Sequence, residues 1–170
     1  MKRILMVLFV TTSSVAQEQV LSGDQQFPLL RELRWGMTRA EVVAACAARS
    51  VSVSEDDSSI TLDAALFGAP TKTTMRLKGT TKRLGQVDIR FIDRSQALAD
   101  TLTRRLTRFT GDSPMKVEKE KSVLLFTLRM EISVWETKTE KLTLVVGKKG
   151  RSIFEIKLLV LPLRTHTEKQ

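Results

Sequence analysis

Few residues in this chain have the type and spacing that chemistry requires. A thiol nucleophile needs a neighbouring base or cation to hold it as thiolate. Cys46, the single cysteine, sits instead in Val42-Val43-Ala44-Ala45-Cys46-Ala47-Ala48, with no histidine nearby. It reads as a small buried hydrophobe. A general base needs a fixed position beside its substrate. His166, the single histidine, lies in a polar C-terminal tail between Thr165 and Thr167. Glu55-Asp56-Asp57 is acidic but lacks the glycine and the spaced ligands of a calcium loop, and reads as a solvated turn. No cluster has metal-ligand spacing, and no G-x-S-x-G, P-loop or dinucleotide fingerprint occurs. Two carboxylates could hydrolyse a glycoside, yet no pair stands out. The chain has no tyrosine with which to build a sugar platform. A non-enzymatic chain is expected, with no cofactor and no metal. An envelope hydrolase with an unrecognised carboxylate site is the alternative, and a purely structural envelope component is another.

Lys2 and Arg3 precede the apolar run Ile4 to Val10, then the polar stretch Thr11 to Ser14. Ser14-Val15-Ala16 offers small residues at −3 and −1 of a cut before Gln17, so residues 1–16 read as a secretory signal peptide. Seven apolar residues fall far short of the ~20 that a spanning helix needs. The protein is therefore expected to be exported, soluble and periplasmic or extracellular, with no transmembrane segment after cleavage. Loss of Lys2 and Arg3 lowers the formal net charge from +9 to +7. Nucleic acid is not an expected partner of an exported protein. The basic balance suits an envelope protein or an anionic envelope component. There is no asparagine and hence no N-glycosylation sequon.

The remaining 154 residues suffice for one domain. Residues 17–34 read as a flexible N-terminal extension, 35–163 as the domain and 164–170 as a polar tail. Thr38 and Glu41 form a capping box, with Met37 placed to staple onto Val42, so a helix runs from about Arg39 to Ala48. Period-two alternation marks strands around Ile60–Leu66, Met75–Leu77 and Val87–Phe91. Asp93 caps a second helix, with Gln96 at the capping-box position. Leu98, Leu102, Leu106 and Phe109 form its apolar stripe, and Gly111 and Pro114 end it. Strands return at Phe126–Trp135, Leu142–Val146 and Phe154–Val160. The expected fold is α+β: two helices packed on one face of an antiparallel sheet.

A shift of 67 residues superposes Met75 on Leu142, Leu77 on Leu144, Val87 on Phe154, Ile89 on Ile156 and Phe91 on Leu158. It also carries Asp88 onto Glu155 and Arg90 onto Lys157. The chain thus reads as a duplicated unit of one helix and three or four strands, with halves 35–92 and 93–163. The segment Trp35-Gly36-Met37-Thr38-x-x-Glu41-Val42 resembles the opening of small exported bacterial domains that start with a G-[MST]-[ST]-x-x-[EQ]-V helix. The outer-membrane-assembly lipoprotein family of the SmpA/OmlA type is one example. The layout is similar to that of the secreted β-lactamase inhibitory proteins, with tandem helix-then-sheet units. This chain lacks the lipid-attachment cysteine of the first group and the cysteine pairs of the second. The resemblance implies a binding or scaffolding role.

With both helices on the apolar face, the other sheet face is expected to show Arg76, Lys78, Arg90, Arg129, Lys141 and Lys157. Asp63, Asp88, Glu131 and Glu155 would lie among them, and Phe67 and Trp135 would share that face. A basic sheet with an exposed tryptophan is a docking surface, since Trp and Arg are favoured binding anchors. Cross-strand ion pairing on a solvated face would account for the same charges. The expected partner-binding residues are Trp135, Arg76, Arg90, Arg129, Lys141 and Lys157.

Overall fold

The computed structural model describes residues 32–48, 53–123 and 126–163. Residues 1–16, read as a signal peptide, most of the expected extension, the tail and His166 lie outside the described residues. Leu33, assigned to the extension by its sequence context, is fully buried in the core.

Helix α1 (Arg39–Ala47) opens on the expected capping box, with Thr38 accepting from the Glu41 amide and the Glu41 carboxylate accepting from the Thr38 amide. Strands β1 (Val53–Glu55), β2 (Ser59–Leu66), β3 (Ala69–Lys78) and β4 (Arg83–Phe91) follow. Helix α2 (Gln96–Thr110) is capped by Ser95, whose hydroxyl accepts from the Leu98 amide. Asp93 lies one step further out, accepting from the Ser95 amide and hydroxyl, so it buttresses the cap rather than forming it. Gly111 ends the helix at φ 78°, a left-handed conformation that glycine adopts without steric cost. Strands β5 (Met115–Val123), β6 (Phe126–Glu136), β7 (Glu140–Lys149) and β8 (Ser152–Pro162) complete the chain.

All eight strands form one antiparallel sheet in the order β1-β2-β3-β4-β8-β7-β6-β5. Strand accounts for 57% of the described chain and helix for 20%. The two helices are as expected, but the α+β class is not: the fold is mainly β. The difference comes chiefly from β5, whose run Lys116-Val117-Glu118-Lys119-Glu120-Lys121 has no apolar alternation to read. It is a sheet edge, where charge blocks unwanted pairing with other chains.

The strand order is a palindrome. Each helix precedes four strands, and the last strands of the two sets, β4 and β8, meet antiparallel at the centre. The 67-residue shift holds across that junction, since Arg90 pairs with its own counterpart, Lys157. It fails across the hairpins. Met75 pairs with Val87, whereas Leu142 pairs with Val160 and not with Phe154. The first hairpin turns through residues 79–82 and steps out of register next to Gly85. The second turns through 150–151 and steps out of register at Phe154. The turn lengths therefore move the registers apart.

Both helices contribute to one core on one sheet face. Val42 and Cys46 of α1 and Leu98, Leu102 and Leu106 of α2 join Ile60, Met75, Ile89, Leu144 and Leu158 of the strands. Trp35 closes the core's edge, its Nε1 donating to Glu140 Oε1 at 3.1 Å at the start of β7. Burial pushes the Cys46 thiol up, away from the thiolate that a nucleophile needs.

Candidate functional site

The sheet face away from the helices is the site the sequence singles out, and register settles who stands on it. On β7 and β8 the core-facing pairs are Leu142↔Val160, Leu144↔Leu158 and Val146↔Ile156. Residues between them point the other way, because successive strand side chains alternate. Arg76, Lys78, Arg90, Lys141 and Lys157 are placed on this open face, with Asp63, Asp88 and Glu155.

Arg129 and Trp135 are not. Trp135 pairs with Leu142 on the core side and is 2% exposed, with its Nε1 donating to Thr107 Oγ1 of α2 at 3.2 Å. The expectation of an exposed tryptophan is overturned by that contact. An indole buries a large apolar area and its N–H needs a partner, and α2 supplies both. With Trp135 fixed, period two puts Ser133, Glu131 and Arg129 on the helix side. Arg129 there pairs with Glu120 of β5 at 2.7 Å, and Glu131 with Lys148 at 2.6 Å. Glu131 and Ser133 belong to the wall of a groove between α2 and β5–β6. The groove has a volume of about 410 Å³ and is lined also by Asp100, Arg104, Lys116 and Glu118. Phe67 is likewise on the helix side. It packs against the core from a turn residue at φ 54°, with the Arg105 guanidinium 5.0 Å above its ring.

The orientation of β6 has a second consequence. Its apolar series Leu128, Met130, Ile132, Val134 faces the open side, beside Met115 and Val117 of β5. Val145 of β7 and Leu159 and Leu161 of β8 join them. Val134 is buried yet belongs to no part of the helix-side core. Phe154 lies over Gly147: a Cβ there would come within 2.6 Å of its ring. The open face is therefore divided. The β5–β8 half is apolar, and the β2–β4 half, with Lys157 at the boundary, is charged. The signal was present in β8, where Ile156 to Leu161 is apolar apart from Lys157. A strand covered on both faces reads as such a run.

The charged half is organised around Asp88. Arg76 Nε donates to its Oδ2 at 2.7 Å, Gln86 donates to Oδ1 at 2.8 Å, and Lys157 Nζ lies 3.7 Å from Oδ2. Burial by itself would raise this carboxyl. The hydrogen bonds from Arg76 and Gln86 and the charges of Lys157 and Arg76 outweigh it, holding Asp88 below its ordinary range. Arg90 Nε lies 3.5 Å from Glu155 Oε1. The 67-residue shift carries Arg90–Glu155 onto Lys157–Asp88, so the two diagonal pairs are quasi-two-fold mates across the β4–β8 junction. Lys72, Arg76, Arg90 and Lys157 surround a depression of about 160 Å³, with Thr74 and Asp88 in its wall. Lys72 forms no ion pair among the described residues. Lys141, two strands away, pairs with Glu136 at 3.0 Å.

The acidic turn at 55–57 has a structural occupation. Asp56 accepts from the amides of Ser58 and Ser59 and from the Ser59 hydroxyl, and these bonds, the Ser59 hydroxyl first, bring its pKa down to about 2. Among the described residues no group of three His, Cys, Asp or Glu side chains is placed to hold a metal ion, and no helix is long and apolar enough to cross a membrane. No protein-family model, curated protein or solved structure matches the chain.

Proposed function

We propose that this protein is an exported, non-enzymatic binding domain that takes an acidic envelope protein or an anionic envelope component on the charged half of its open sheet face. The observation that carries the reading is the convergence of Lys72, Arg76, Arg90 and Lys157 on one depression that holds a single carboxylate, Asp88. Asp88 and Glu155 hold three of the four cations in fixed positions, and Lys72, across from Asp63, adds a fourth that makes no ion pair among the described residues. The arrangement is pre-organised and retains a cationic excess, which favours an anionic ligand and speeds its encounter. Arg76 and Arg90 keep about half or more of their side-chain surface in solvent, 48% and 64%, and so are available to a ligand. The secretory pattern of residues 1–16 supports export, and the net charge of the chain supports the sign of the partner.

The test is affinity capture from envelope extract by the purified protein and by its Lys72→Glu/Arg90→Glu variant, each washed across a salt series. The reading predicts a component retained by the native protein, lost by the variant, and released as salt rises, because exposed charges are screened over about 8 Å at physiological ionic strength. Equal capture by native protein and variant contradicts it.

A further inference from the structure

Nothing among the described residues covers the apolar half of the open face. We propose that it packs on the same half of a second copy of the chain, in a two-fold dimer whose axis runs parallel to the strands between β6 and β7. This goes beyond the binding reading above and does not rest on it.

Register supplies the argument. Four consecutive rows cross the open face of β5 to β8. The first holds Glu136, Lys141 and Leu161. The second holds Met115, Val134, Thr143 and Leu159. The third holds Val117, Ile132, Val145 and Lys157, and the fourth Lys119, Met130, Gly147 and Glu155. Rotation about the proposed axis keeps every row at its own height. It lays β6 on the partner's β7 and β5 on the partner's β8.

Glu136 then faces the partner's Lys141, and Lys119 faces the partner's Glu155, each twice by symmetry. Opposite charges thus meet at both ends of the interface. Between them Ile132 lies on the partner's Val145 and Met115 on the partner's Leu159. The stem of Lys157 covers the partner's Val117, its ammonium staying with Asp88. The Phe154 ring, seated over Gly147, meets the partner's Met130. An axis across the strands through the Val117 row would instead set Lys119 against the partner's Met115 and Glu155 against the partner's Leu159, with no charge matched. The parallel axis is the self-complementary solution that a two-fold interface requires. It is also the aligned way in which two sheets stack, about 10 Å apart. It leaves β2–β4 beyond the partner's β5 edge, so Lys72, Arg76 and Arg90 of the charged depression stay in solvent, while Lys157 forms the boundary with the interface.

Exposure agrees. Met115 is 62% exposed and Val117 and Phe154 are each 37% exposed, a large apolar display for one surface. β5 meanwhile guards its own edge with Lys116, Lys119 and Lys121, so association goes through the face and not through strand addition.

Sedimentation equilibrium of the purified protein over a range of concentrations tests this. The expected result is a reversible species of twice the chain mass. Val117→Glu, at an exposed edge position that folding tolerates, raises the dimer dissociation constant by tenfold or more, and circular dichroism confirms that the variant is folded. Lys119→Glu weakens the dimer, and Lys119→Glu with Glu155→Lys together restore it. A monomer at every concentration overturns the proposal. So does a dimer indifferent to both Val117→Glu and Lys119→Glu, which would be using another surface.

Discussion

The two halves of the open sheet face are built from equivalent strands and have opposite chemistry. On β3 and β4 the outward positions carry Lys72, Thr74, Arg76, Asp88 and Arg90. On β7 and β8 they carry Thr143, Val145, Leu159 and Leu161, with Lys157 and Glu155 at the seam. The helix-side positions of these four strands are mostly apolar and share one core. The palindromic strand order, the central Arg90↔Lys157 pair and the mated ion pairs suit a repeated unit. The outward positions of the two sets differ in chemistry, while the inward ones are alike. The core tolerates little change, because buried residues answer to packing. The open face is free to specialise, and its halves present two different surfaces.

The largest expected effect comes from the residue whose side of the sheet decides that division. Trp135→Ala removes the indole beneath α2 and should destabilise the fold by about 3–5 kcal/mol in a denaturant titration. A change below about 1 kcal/mol would mean that Trp135 faces the open side, and the apolar half would vanish with it. A sharper comparison uses neighbours on β8. Leu158→Ala should cost about 2–5 kcal/mol, whereas Leu159→Ala, one residue along on the open face, should cost less than about 1 kcal/mol in the monomer. Equal costs would break the distinction between the two faces.

In the charged half, Asp88→Asn should cost about 1–2 kcal/mol at neutral pH, since it weakens charge-assisted bonds from Arg76 and Lys157 without creating a cavity. The pH dependence has a defined sign. The folded-state pKa of Asp88 is lowered, so its contribution is fully present above the unfolded value near ~3.9 and is lost as pH falls through the folded value. Asp88→Asn should therefore flatten the acid limb of the stability curve. Asp56, with a folded value of about 2, acts in the same direction between pH ~4 and ~2 from the β1–β2 turn. An Asp56→Asn variant should also show a shallower acid limb. The smallest effect is expected from Lys72→Glu, within about 0.5 kcal/mol of native stability, because this exposed side chain makes no ion pair among the described residues. Its consequence should appear in capture and not in folding.

Much of this was legible in the sequence where one face of an element decides its fate. The Thr38–Glu41 capping box, the Leu98–Leu102–Leu106 stripe and the alternation of β2, β4 and β8 each specify an element through local chemistry. The side of the sheet that β6 presents was not legible. Alternation says that Leu128, Met130, Ile132 and Val134 share a face, but not which face; the pairing of Trp135 with core-facing Leu142 and its contact with Thr107 of α2 decide it. Strand β5 was invisible because an edge strand of alternating charges carries no apolar signal. The placement of Arg76, Arg90 and Lys157 on one face followed from strand parity alone. Arg129 went astray with β6, and Phe67 because a tight turn at positive φ folds it back onto the core.

The division of labour on the open face is tested most directly by repeating the capture experiment with three proteins side by side: native, Lys72→Glu/Arg90→Glu and Val117→Glu. The account predicts that the charge-reversed variant loses the partner while Val117→Glu keeps it. Loss of the partner by Val117→Glu with retention by the charge-reversed variant would place binding on the apolar half and contradict the account.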